Sequence, residues 1–114
     1  MYNIKKGIFN MSVINITSES FENEVMLCDK TVLVDFFANW CAPCRAMSTV
    51  VDEIAEEHPE IKVCKVNVDE QPQLATRFSV ESIPTMIIFK NGKAVKSSVG
   101  SMPKRALLEA VLNA

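Results

Sequence analysis

Apolar residues along this chain fall into two alternating patterns, short unbroken runs and longer stretches at helical spacing. Residues 13–16 (VINI) read as a first short strand, after which Thr17 or Ser18 can cap a helix reaching about residue 27. Residues 31–38 (TVLVDFFA) are almost continuously apolar, which suits a strand buried on both faces. From residue 43 to 58 the apolar positions Met47, Val50, Val51, Ile54 and Ala55 recur at helical spacing, with Arg45, Ser48, Asp52, Glu53 and Glu56 on the other side. Pro59 stops that helix because it has no N–H to continue the ladder.

Residues 61–68 (IKVCKVNV) read as another strand, Asp69 can cap a short helix to about residue 78, and residues 85–89 form a strand. Asn91-Gly92 is the signal of a tight hairpin turn into a last strand at 94–99, and a final helix from Pro103 is expected to bury Leu107, Leu108, Val111 and Leu112. The predicted order is β-α-β-α-β-α-β-β-α. That order predicts an α/β sandwich, with helices on both faces of a mixed sheet whose early strands pair in parallel and whose last hairpin is antiparallel. Strand order does not follow from the pattern.

A length of 114 residues with 48% hydrophobic content bounds this to one domain, which buries roughly two thirds of its unfolded surface. Residues 1–11 lack a clean period and end in Met11, an alternative start; they read as a loosely attached arm before a domain at 12–114. Lys5 and Lys6 precede apolar residues, but Asn10, Ser12 and Asn15 interrupt any signal-peptide core and no small-residue cleavage site follows. With 12 basic and 14 acidic residues and no block of either sign, neither nucleic acid nor a membrane surface is an expected partner. The composition supplies an ordinary core that needs no disulfide staples, so the four cysteines fit a reducing cytoplasm.

The candidate chemistry lies in Trp40-Cys41-Ala42-Pro43-Cys44, where the apolar run gives way to helical spacing. Pro43 suits a first helical turn, which puts Cys41 at the helix N-terminus. Backbone N–H groups and the helix dipole there favour an anion, and a thiolate is the reactive form of cysteine. Cys44 lies one turn inward, within reach of Cys41. Three readings stand. Zinc needs four ligands, yet Cys28, Cys64 and His58 are far from this pair in sequence. A purely structural staple closing so short a loop adds little stability. A redox centre is the strongest reading, because Cys-x-x-Cys in a βαβ setting carries that chemistry.

Together with Val34-Asp35-Phe36-Phe37-Ala38, Lys65-Val66-Asn67-Val68-Asp69, Ser82-Ile83-Pro84-Thr85, Phe89-Lys90-Asn91-Gly92 and Val99-Gly100, this motif resembles the thioredoxin family over residues 12–114. The resemblance implies the thioredoxin fold, a central five-stranded mixed sheet in order 1-3-2-4-5 flanked by four helices. It implies a protein-disulfide reductase in which Cys41 is the nucleophile, Cys44 the resolving thiol, and the two form a redox-active disulfide. Electrons are then expected from a thioredoxin reductase that uses NADPH and flavin, with no cofactor bound to this chain. Disulfide-containing proteins are the expected substrates, and a monomer the expected state.

Asp35 and Lys65 are charged residues inside apolar runs, and local sequence leaves each between burial and an exposed edge. The resemblance implies that Asp35 is a buried proton acceptor for Cys44 and that Lys65 tunes it. It further implies a cis Ile83–Pro84 bond beside the cysteines, and a substrate surface made by Trp40, Ala42, Pro43, Ser82, Ile83, Pro84 and Gly100. Cys28 and Cys64 are expected to be buried or partly buried thiols. The chain departs from the family at Ala42 and Ser82, where Gly is usual, at Phe37, where Trp is usual, and at Thr49, where Pro is usual. None of these removes a reacting group. Ala42-Pro43 also lacks the His found between the cysteines of oxidants and isomerases of this fold, which favours a reductant. An oxidant or isomerase, or a binding module with incidental cysteines, are the alternatives.

Overall fold

The near-continuous run at residues 31–38 becomes the centre of the sheet, β2 (Thr31–Phe37), whose residues 32–36 are all buried. The computed structural model describes residues 12–114; the expected arm at 1–11 lies outside the described residues. Strands β1 (Val13–Asn15), β2, β3 (Ile61–Asn67), β4 (Thr85–Lys90) and β5 (Lys93–Val99) form one sheet in the order β1-β3-β2-β4-β5. β3 runs parallel to β1 and β2, whereas β4 is antiparallel to β2 and to β5. This is the mixed sheet that the sequence pattern and the family resemblance predicted.

Alternation along the strands feeds two cores. Val32, Val34 and Phe36 of β2 join Cys64, Val66, Ile87 and Phe89 on one face, under α1 (Glu22–Met26) and α3 (Pro72–Arg77). Leu33 joins Val63, Met86 and Ile88 on the other, under α2 (Ala42–Glu57) and α4 (Lys104–Leu112). Phe21 and Phe89 are fully buried and pack with Phe78 at ring separations of 5.2 to 5.7 Å, closing the first face. Each large ring buried this way contributes on the order of 3 kcal/mol of apolar transfer.

Three local expectations are corrected. The helix expected from Thr17 or Ser18 is a five-residue segment, α1, bonded in π fashion from the Leu27 amide to the Glu22 carbonyl at 2.9 Å. Thr17 and Ser20 instead close their own turn through reciprocal amide-to-hydroxyl bonds of 3.0 and 3.2 Å. Ser18 is unavailable as a cap because its amide and hydroxyl both bond Gln71 Oε1, at 3.0 and 3.2 Å. Asp69 does not cap α3; Gln71 precedes that helix, and Asn67 Oδ1 takes the Asp69 and Glu70 amides. Finally, α4 buries Leu107 and Val111 and partly buries Leu108, but Leu112 is exposed, because it lies off the stripe that faces the sheet; on the polar side of α2, Ser48 and Asp52 are half-buried.

The hairpin between β4 and β5 turns at Asn91 and Gly92, with φ of 53° and 77°. Two successive positive φ values match the twist of the strands, and Asn-Gly tolerates them. A Cβ at Gly92 would also lie 3.0 Å from the Met26 carbonyl oxygen. Gly92→Ala is therefore expected to destabilise the protein by about 1–2 kcal/mol, read as a lower urea midpoint with an unchanged slope.

Candidate active site

The connection from β2 to α2 sets the cysteine pair. The Cys41 amide bonds the Ala38 carbonyl at 3.3 Å, which turns the chain, and Cys41 then adopts extended backbone as the residue capping α2. Its Sγ accepts the Cys44 amide at 3.2 Å, and no acidic side chain occupies the first turn of α2. One amide of the helix start thus points at sulfur, with no carboxylate in that turn competing for it. Cys41 and Cys44 are joined as a disulfide, with Cα atoms 5.2 Å apart, and both are buried. Ala42 and Pro43 between them are exposed.

Ile83 is half-buried against the cysteines, its carbonyl oxygen 4.0 Å from Cys41 Sγ, and the Ile83–Pro84 bond is cis. Two bonds hold this loop: Thr85 Oγ1 donates to the Ser82 carbonyl at 2.5 Å, and the Gly100 amide donates to the Pro84 carbonyl at 2.8 Å. Gly100 has a φ of 94°, a conformation open to glycine but costly to residues with a Cβ. Trp40 is 70% exposed beside Cys41, and its Nε1 donates to Asp69 Oδ2 at 2.9 Å. That bond fixes a large exposed ring at the rim of the site. Sequence reading had assigned Asp69 to helix capping and so missed this role; the cue that could have found it is an acid within reach of the β3 end, which lies beside the end of β2.

Asp35 is fully buried on β2, opposite Lys65 of β3 in the ladder. Neither of its carboxylate oxygens accepts a hydrogen bond from a described residue. Burial pushes its pKa up to about 7; the Lys65 charge pulls against that and the Asp52 charge adds to it. The Lys65 ammonium itself turns to Ser48, donating to its Oγ at 2.6 Å, and stands 4.7 Å from the centre of the Phe37 ring. A small cavity of about 140 Å³ opens among Cys44, Ser48, Lys65, Phe37 and Arg45.

The other cysteines are apart from this pair. Cys64 is buried in the core of the opposite sheet face, where burial pushes its thiol up to about 12, and half-buried Cys28 packs against the same cluster. Among the described residues no group of three or more His, Cys, Asp or Glu side chains could hold a metal, and no helix is long and apolar enough to cross a membrane.

The sequence model of the family described as Thioredoxin matches residues 12–113. Similar curated proteins include the thioredoxin of Porphyra purpurea, 50% identical over 104 residues that cover 90% of this chain and 96% of that one. Thioredoxin 1 of a Nostoc species is 50% identical over 81% of this chain and 87% of its own length. The thioredoxin of Rickettsia bellii is 42% identical over 87% and 95% respectively. With this similarity along its described length, the sheet order 1-3-2-4-5 and a Cys41–Cys44 disulfide at a helix start, the chain belongs to the thioredoxin family of protein thiol-disulfide oxidoreductases.

Proposed function

We propose that this chain is a general protein-disulfide reductase of the cytoplasm, acting as a monomer through one domain at 12–114. A flavin-dependent thioredoxin reductase supplies two electrons from NADPH and converts the Cys41–Cys44 disulfide to the dithiol. Cys41 thiolate then attacks a substrate disulfide; one substrate sulfur leaves and the other is held in a mixed disulfide. Asp35 takes the proton of Cys44, the Cys44 thiolate attacks Cys41 Sγ, and the second substrate sulfur leaves as a thiolate. The substrate is reduced by two electrons and the Cys41–Cys44 bond is restored.

The single observation that carries this reading is the Cys41–Cys44 disulfide seated at the start of α2, with the Cys44 amide on Cys41 Sγ. That amide and the helix dipole stabilise the Cys41 thiolate after reduction. The buried, unpaired carboxyl of Asp35 supports its role as acceptor, since its pKa of about 7 allows it to take a proton near neutral pH. Lys65 tunes that acceptor by its charge. Ile83 backbone, just before the cis Pro84, is suited to pair with an extended substrate segment, with Trp40, Ala42, Pro43, Ser82 and Gly100 around it. A reductant needs a reducing compartment, which is the ground for the cytoplasm.

Insulin-disulfide reduction tests this directly. Precipitation of the insulin B chain is expected with dithiothreitol as donor, and NADPH oxidation is expected when a thioredoxin reductase replaces it. Activity in neither assay overturns the reading. Equilibration against glutathione separates reductant from oxidant: a reductant remains disulfide-bonded until the glutathione buffer is strongly reducing.

A further inference from the structure

We propose that Ser48 is a positioning residue for the thiol-transfer step, holding the Lys65 ammonium short of Asp35 so that Asp35 stays unpaired and free to take the Cys44 proton. This rests on Asp35 being that acceptor. Asp35 and Lys65 are partners in the parallel β2–β3 ladder, so their side chains share a sheet face and the Lys65 charge acts on the carboxylate. Among the described residues neither Asp35 oxygen has a hydrogen-bond partner, while Lys65 Nζ donates to Ser48 Oγ at 2.6 Å and lies over the Phe37 ring. The serine hydroxyl and the ring face together give the ammonium a place to sit that is not the carboxylate.

Ser48 stands one turn beyond Cys44 on α2, and both line the cavity of about 140 Å³ that Lys65 also borders. The hydroxyl therefore acts where the resolving thiol must lose its proton. The charged groups around Asp35 are few. Lys65 comes from β3, and Asp52 comes from α2, where burial pushes its pKa up, the Lys65 charge pulls it down and the Glu56 charge adds to the rise, so the ammonium acts on both carboxylates. Met86, the β4 neighbour of Asp35, is apolar. Arg45 also borders the cavity but spends one N–H on the Asn39 carbonyl at 3.0 Å. Lys65 is thus the cation that an altered Ser48 releases.

The test follows Asp35 and Asp52 separately, by carbon NMR of the carboxyl groups against pH in the reduced protein, together with the pH profile of mixed-disulfide release. In Ser48→Ala the Asp35 midpoint is expected to fall by about one pH unit as the ammonium closes on it. Ser48→Thr, which keeps a hydroxyl, should retain the original midpoint, and Ser48→Ala should have no effect in a Lys65→Met background. An unchanged Asp35 midpoint in Ser48→Ala, a fall confined to Asp52, or a shift that persists without Lys65 each overturns the inference. If the midpoint falls but the release profile does not follow it, positioning stands while Asp35 fails as the acceptor, so the two ideas are separated.

Discussion

Cys44→Ser is expected to convert the protein from a catalyst into a trap. The variant keeps Cys41 at the start of α2 with the residue-44 backbone amide on its sulfur, so attack on a substrate disulfide is expected to proceed, but no second thiol remains to release the substrate. Incubation with reduced variant should give a covalent adduct at one substrate per chain, found by mass spectrometry on the peptide that contains Cys41 and dispersed by dithiothreitol. Cys41→Ser removes the attacking sulfur, and insulin reduction should drop to the uncatalysed level with no adduct. The remaining thiols are not expected to take over. Cys64 is buried and its thiol, at about 12, is ionised in only about one molecule in 10⁵ at pH 7, and Cys28 lies in the cluster on the other sheet face. An adduct of equal yield through Cys28 or Cys64 in the Cys41→Ser protein would overturn the assignment of both active-site cysteines.

The second large effect concerns Asp35, where stability and chemistry oppose each other. Its pKa rises from 3.8 to about 7 on folding, chiefly through burial. Below about pH 4 the carboxyl is protonated in both folded and unfolded chains and carries no penalty. Between about pH 4 and pH 7 the unfolded chain ionises and the folded chain resists, so stability falls with rising pH, and above 7 the loss is complete. A shift of this size corresponds to about 4 kcal/mol, an upper bound because relaxation around the charge reduces it. Asp35→Asn should therefore raise stability by about 2–4 kcal/mol at pH 8 and by much less at pH 4. The neutral amide and the protonated acid lack partners alike, which is why they cost about the same at low pH.

On the proposed mechanism the same substitution removes the proton acceptor for Cys44. Mixed-disulfide release should slow by about 100-fold at pH 7 and recover as pH rises enough to ionise Cys44 unaided. Urea midpoints at pH 4 and pH 8, with release rates across the same range, decide the matter. Equal destabilisation at both pH values, or an unchanged release rate, contradicts the role given to Asp35.

What the sequence by itself determined is the set of elements and the reacting pair. Period and run length located all five strands to within a residue or two, because the residues that decide them are neighbours along the chain. The long helix α2 was legible for the same reason, from Met47, Val51 and Ile54 inward to Pro59 outside its end. Cys41 and Cys44 were legible as a redox pair because Cys-x-x-Cys and Pro43 carry their own local geometry. Strand order and the cis bond before Pro84 came only from family resemblance, since nothing local encodes either.

Tertiary structure decided whatever depends on a partner far along the chain. Ser18 is taken by Gln71, 53 residues away, so the first helix shrinks to α1. Asp69 serves Trp40 rather than a helix start, across 29 residues. Asp35 looked equally suited to a buried or an exposed position until α2 was laid across β2, because the strand pattern fixes only which face a side chain takes. Ser48 read as one more polar residue of an amphipathic helix. Its bond to Lys65 exists only because the β2–β3 register brings that lysine under the helix, and a half-buried ammonium beside an apolar face must find whatever acceptor the packing supplies.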